Sequence, residues 1–177
     1  MAFYFKKIVN MKNKNEPKDN LDIKIIVFLQ KNAKATLDEL AKSIGASRST
    51  IWNRVRHLEE SEIIRSYSAI INTEKIGLSM TFFTTIKTSN HDIDWLKKFS
   101  SAVNSIPEIV EVNRLSGEYD YLLKILAKNA SHYDKIYKSL IKILPIDTIN
   151  SSLSMESIKS DYSLKFLENK PNNNIEK

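Results

Sequence analysis

Apolar positions recur at helical spacing three times in the first third of the chain, and mostly at strand spacing after that. Leu37, Leu40, Ala41 and Ile44 form one stripe, and Ile51, Val55 and Leu58 form another at i, i+4, i+7. Thr36 followed by Glu39 is a capping box that starts the first of these helices. Gly45 ends it, because glycine takes a left-handed backbone without steric cost. Ser47 then caps the next helix. Upstream, Asp19 or Asn20 caps a helix from Leu21 to about Gln30, whose Ile25, Ile26, Phe28 and Leu29 would cover the pair. Small Ala41 lets the two helices of the pair cross closely, and the layout is that of a helix-turn-helix unit. The β-rich run Ile63 to Ile71 predicts a short wing or linker strand, with Arg65 in reach of a flanking phosphate.

The second half alternates differently. A strand is predicted over residues 79–87, then a helix with Leu96, Phe99, Val103 and Ile106 on one face, then a strand from Ile109 to Leu115. Ser116, Gly117 and Glu118 make a turn into a third strand from Tyr119 to Ala127. A helix from about Ser131 to Leu144 presents Tyr133, Ile136, Tyr137, Leu140 and Leu144, and Ile149, Ser151, Leu153 and Met155 alternate as in a half-buried strand. The order βαββαβ, with right-handed crossovers, is that of a ferredoxin-like α/β sandwich. Its helices cover one sheet face. Val, Phe, Leu and Met on the other face would need cover as well, and two such sheets paired across a twofold axis supply it. The fold class is therefore α+β: an N-terminal winged helix-turn-helix domain and a C-terminal ferredoxin-like domain. The expected segments are an extension or disordered stretch over 1–19, the helix-turn-helix domain over 20–66, a hinge strand over 67–78, the ferredoxin-like domain over 79–162 and a flexible tail over 163–177. Met11 is an alternative start of translation.

Charge sharpens this picture. The net charge is +6, and residues 1–20 hold five lysines against two acids while residues 21–65 hold eight basic residues against six acids. The remaining residues are nearly balanced, so the positive charge lies with the helix-turn-helix, as polyanion binding requires. There is no cysteine, which excludes disulfides and thiolate-held metals. His57, His91 and His132 form no ligand motif, and no metal or cofactor is expected. No apolar run approaches the length of a membrane span, so a cytoplasmic protein without membrane partners is expected.

With Ile51, Val55 and Leu58 inward, the second helix of the pair shows Arg48, Ser49, Trp52, Asn53 and Arg56 outward, and no acid occurs from Ala46 to Leu58. An arginine fork matches guanine O6 and N7, and asparagine can do the same for adenine. Ser47, Ser49 and Thr50 sit where hydroxyls and free helix N–H groups can meet phosphate. Trp52 fits either a thymine methyl or the domain edge, and Arg54 either a phosphate or an internal ion pair. His57 reads as a surface or capping residue. Double-stranded DNA is the expected partner. Two-fold dimers would place these helices at half-sites about 34–36 Å apart.

At this point the chain resembles the Lrp/AsnC (feast/famine) family of prokaryotic transcription regulators. The segments that carry the resemblance are residues 21–64, then SYSAIINTEKIGL, then LSGEYDYLL. The resemblance implies a winged reader domain, a hinge strand, dimers often assembled into octamers, and amino acids as effectors. These would bind near the turn that here reads Ser116, Gly117, Glu118, Tyr119 and Asp120. Asp120 suits an ammonium group and the turn's N–H groups a carboxylate, while Gly117 allows close approach. A plain hairpin with Asp120 bonded to backbone is the alternative. The family pattern has glycine where this chain has Glu62 and Ser66. A side chain at a left-handed position costs on the order of 1 kcal/mol, so the reader helix is expected to run on and the wing to change its angle. Two other functions share parts of this pattern. Tetrapyrrole (sirohaem-type) decarboxylases resemble the same two-domain build, and His91 and His132 would be their basic groups here. A non-specific, chromatin-like DNA-coating protein would need only the charge.

Overall fold

The computed structural model describes residues 17–143, 145–160 and 163–164. The described residues divide into two compact units, 17–69 with 160, 163 and 164, and those within 70–159. Residues 1–16 of the extension expected over 1–19 and most of the tail expected to be flexible lie outside the described residues, as does Leu144.

The first unit is three helices. Helix α1 spans Asn20–Lys31, and Asp19 caps it by accepting from the Leu21 and Asp22 N–H groups. Helix α2 spans Leu37–Ile44, with the Thr36–Glu39 capping box formed in both directions and Gly45 left-handed at φ +78°. Helix α3 spans Arg48–Glu60, capped by the Ser47 hydroxyl on the Thr50 N–H. Ile25, Ile26, Leu40, Ala41, Ile51 and Leu58 form the core, and Val55, Ile63 and Ile64 pack against its edge.

Two expectations fail here. Helix α3 does not run on: it ends at Glu60, and Glu62 itself takes the left-handed conformation at φ +58°. The reason is packing. With Glu62 turned, the Ile64 N–H bonds the Leu58 carbonyl at 2.9 Å and Ile63 and Ile64 reach the core. This closure of the helix end, with the apolar contacts it brings, outweighs the steric cost of a side chain there. The strand expected over Ile63 to Ile71 is not formed either. The segment is irregular and mostly exposed, and residues 74–76 make one 3-10 turn. A strand needs a ladder partner, and no described residue supplies one.

The second unit is a four-stranded antiparallel sheet in the order β2-β3-β1-β4. Strand β1 spans Met80–Lys87, β2 spans Ile109–Arg114, β3 spans Tyr121–Ala127 and β4 spans Thr148–Leu153. Helices α4 (Ile93–Ser105) and α5 (Ala130–Ile143) pack together, α4 on β2 and α5 on β3. This is the ferredoxin-like sandwich. Its core has an aromatic cluster: Trp95 stacks on Phe99, Tyr121 meets both rings tilted, with centroids 4.4–5.7 Å apart, and Phe82 stacks on Tyr133.

Several details depart from the reading of the sequence. On α4 the buried stripe is Trp95, Phe99, Ala102 and Val103, while Leu96 is exposed. A helix admits a rotation of its stripe by one residue, and the larger ring took the core. Strand β3 begins at Tyr121, because Tyr119 and Asp120 belong to the turn. Strand β4 ends at Leu153, and Met155 is almost fully exposed. The open sheet face is less apolar than expected. Register places Phe83, Leu122 and Leu126 there beside Thr81, Thr85 and Lys124, whereas Met80 packs on the helix side.

Candidate nucleic-acid interface and effector turn

The candidate interface starts from the caps. Ser47 holds the first turn of α3, and its hydroxyl also meets those of Ser49 and Thr50 at 3.0 and 2.8 Å. That leaves the N–H groups of Arg48 and Ser49 at an exposed, acid-free helix start. Arg48, Ser49, Thr50, Trp52, Asn53 and Arg56 are all exposed, as the periodicity predicts, because Ile51 and Leu58 are completely buried on the opposite side. Ile51 and Leu58 thus orient every outward residue of the helix.

Arg54 is different. Its Nη2 donates to Asp19 at 2.7 Å and its Nη1 to Asp22 at 3.2 Å. Asp22 is 0% exposed and also accepts from the Lys18 N–H at 2.8 Å. A buried carboxylate without a cation is costly, so Arg54 serves the fold and ties α3 to the start of α1. Of the two readings open for Arg54, the internal ion pair is the one formed. Burial pushes the Asp19 carboxyl up, but the backbone of Asp22 and the Arg54 guanidinium outweigh it and hold it below its ordinary value. The same pair pushes Arg54 up, led by its bond to Asp19.

The other two arginines of α3 also meet acids that the sequence reading missed. Arg56 Nε donates to Glu60 Oε1 at 2.7 Å, and its guanidinium lies 5.4 Å from the Trp52 ring centre. Arg48 Nε lies 3.5 Å from Asp38 Oδ1. Trp52, half-exposed, edges a groove of about 470 Å³ with Arg56, Glu59 and Tyr67, over Leu29 and Leu40. Tyr67 donates its hydroxyl to Glu59 at 2.8 Å. Burial, then the Glu59 carboxylate, pushes the phenol up to about 12. His57 is half-buried, and its Nε2 is buried with no hydrogen-bond partner. Arg65 lies on the exposed irregular segment. One signal for the buried pair was present: Asp22 stands on the same helical stripe as Ile25 and Ile26, and an acid on an apolar stripe needs a partner.

In the second unit, the turn of Ser116, Gly117, Glu118, Tyr119 and Asp120 is closed by the Leu115 N–H on the Asp120 carbonyl at 2.7 Å. Asp120 also bonds β1, its N–H to the Ile86 carbonyl at 2.9 Å and its Oδ2 accepting from the Thr88 N–H at 2.8 Å. His91 Nε2 stands 4.0 Å from Asp120 Oδ1. The alternative with Asp120 bonded to backbone is thus present. Within this chain a side chain at Gly117 would meet nothing within 4 Å, and its φ is not left-handed. His132 is held at both nitrogens, Nδ1 accepting from the Lys128 N–H at 3.2 Å and Nε2 lying 3.1 Å from Glu108. It therefore fastens the start of α5 to the segment before β2. Among the described residues no group of His, Cys, Asp and Glu could hold a metal ion, and no helix is long and apolar enough to cross a membrane.

Comparison with known proteins agrees with both halves. Residues 18–65 match the winged helix-turn-helix DNA-binding family, and residues 81–164 match the Lrp/AsnC ligand binding domain. The glutamate uptake regulatory protein of Zymomonas mobilis is 39% identical over 150 residues, covering 85% of this chain and 92% of that protein. An AsnC family transcriptional regulator from Agrobacterium tumefaciens superposes with a TM-score of 0.78 at 38% identity, over 82% of this chain and 95% of that one. A Neisseria meningitidis transcriptional regulator solved as a complex with L-Met gives a TM-score of 0.78 at 28% identity, with the same coverage. The likeness runs through the three-helix unit and the four-stranded unit in one continuous match, and on that ground the chain belongs to the Lrp/AsnC family of transcriptional regulators.

Proposed function

We propose that this chain regulates transcription by reading double-stranded DNA in a sequence-specific way with α3, under the control of an amino acid or similar small effector. The observation that carries the reading is the outward face of α3: exposed Arg48, Ser49, Asn53 and Arg56 with no acid between Ala46 and Leu58. Arg48, Arg56 and Asn53 carry base choice, and Ser47, Ser49 and Thr50 meet phosphate at the helix start. Arg54 supports the helix from behind. A homodimer, assembled further into octamers, presents two such helices to successive major grooves. The effector acts on the second unit, and the bound L-Met of the Neisseria relative supports an amino acid as its class. We assign it to the turn of Ser116, Gly117, Glu118, Tyr119 and Asp120, where exposed Ser116, Gly117 and Glu118 lie close in sequence to a carboxylate already fixed by the Thr88 N–H.

The test is binding of the purified chain to DNA from upstream of its own gene, against random competitor DNA, at several salt concentrations. Competitor-resistant binding that Arg48→Ala weakens supports the reading. Binding that is fully competed and only salt-dependent supports a DNA-coating protein instead. For the effector, single amino acids are added in turn. One that shifts the melting of the Trp95-containing unit and changes DNA affinity or oligomer size supports the assignment, and Asp120→Asn should abolish the shift.

A further inference from the structure

Three arginines stand on α3 and all three meet carboxylates, but through different nitrogens. Arg54 is met end-on, with both terminal nitrogens donating to Asp22 and Asp19. Its fork is used up. Arg56 is met side-on: Nε donates to Glu60 at 2.7 Å while the guanidinium lies over Trp52 at 5.4 Å. Its two terminal nitrogens have no partner among the described residues. Arg48 turns its Nε to Asp38 in a looser pair at 3.5 Å. A guanine edge is read by two parallel N–H groups of one guanidinium. A carboxylate at Nε and a ring beneath the plane fix the guanidinium and leave a pair of terminal N–H groups to spare.

Stability does not account for Glu60. It stands in the last turn of α3, where the helix dipole disfavours a carboxylate. Both side chains of the pair are more than half exposed, and exposed pairs of this kind stabilise little. An acid at the end of a DNA-facing helix also repels phosphate. We propose that Glu60 is a positioning residue for base reading. It holds Arg56 by Nε over Trp52 so that the free fork reaches one base pair in a fixed orientation, trading general affinity for discrimination. The inference rests on α3 being the reading helix.

The two effects have opposite signs, which separates positioning from a merely structural role. Full-length protein is used to select a preferred duplex from a pool of random-sequence DNA. Affinities are then measured for that duplex, its single-base-pair variants and a random duplex. Arg56→Lys should lose roughly tenfold in preference at one base pair. Glu60→Ala should bind the random duplex more tightly yet lose preference at that same base pair. Glu60→Gln, whose amide oxygen still accepts from Nε, should keep the preference. If Glu60→Ala discriminates as the wild type does, or Arg56→Lys loses nothing, the inference is overturned while reading by α3 stands. If the wild type selects no sequence, both fall. Equal melting temperatures of the variants confirm that folding is not the cause.

Discussion

The two units solve the problem of a stable core in different ways. The second buries an aromatic cluster between a sheet and two helices, with Trp95, Phe99, Tyr121 and Phe82 at its centre. The first buries only a small aliphatic core around Ile25, Leu40, Ile51 and Leu58 and adds a charged staple, Arg54 on Asp22 and Asp19. A three-helix domain of this size has little apolar surface to bury, and a helix that must show arginines and asparagine outward cannot add more. The unit therefore recruits one of its own arginines. Residue type alone does not separate reader from staple. What separates them is which carboxylates the fold brings within reach.

This contrast can be broken at several points. The largest effect is expected for Phe99→Ala, which should cost roughly 3–5 kcal/mol in the second unit alone. Each unit contains one tryptophan, Trp52 and Trp95, so Trp52→Phe and Trp95→Phe backgrounds let fluorescence in a urea titration assign the loss to one unit. Next, Arg54→Ala should destabilise the first unit by about 3 kcal/mol, because buried Asp22 loses its cation. Asp22→Leu combined with Arg54→Met should recover most of it, while either single change should not. If Arg54→Ala instead leaves stability intact and weakens DNA binding as Arg48→Ala does, Arg54 is a reader and the contrast is wrong. Glu62→Gly should stabilise the first unit by up to about 1 kcal/mol, since glycine takes the left-handed turn without strain.

The smallest effects come from titration of the first unit. The folded Asp19 carboxyl lies below its ordinary value of 3.8. Its stabilisation is therefore complete above that pH and is lost as pH falls through the folded value. The Tyr67 phenol is raised from 10.0 to about 12, so its contribution is complete below pH 10 and is lost as pH rises from there towards 12. Asp19→Asn should flatten the acid limb and Tyr67→Phe the alkaline limb of unfolding midpoint against pH. The second unit, followed through Trp95, should show neither change.

Much of this protein was decided by signals that act over a few residues. The Thr36–Glu39 box, Gly45 and Ser47 place the boundaries of α2 and α3, because caps satisfy the free backbone groups of their own helix ends. The spacing of Ile51, Val55 and Leu58 settles which side of α3 faces out, and alternating runs bounded by turns determine four strands and their order along the chain. Tertiary structure decided what depends on distant partners. Arg54 meets Asp22 and Asp19 across 32 and 35 residues, a separation that no local pattern spans. The sheet order, the choice of Trp95 over Leu96 for the core, and the left-handed turn at Glu62 all follow from packing against elements far along the chain. The run from Ile63 to Ile71 has the composition of a strand but none of the partners, and β-structure is a property of pairs of segments. Local sequence sets what each segment can be, and the energy of burial and ion pairing selects among those possibilities only once the chain has closed on itself.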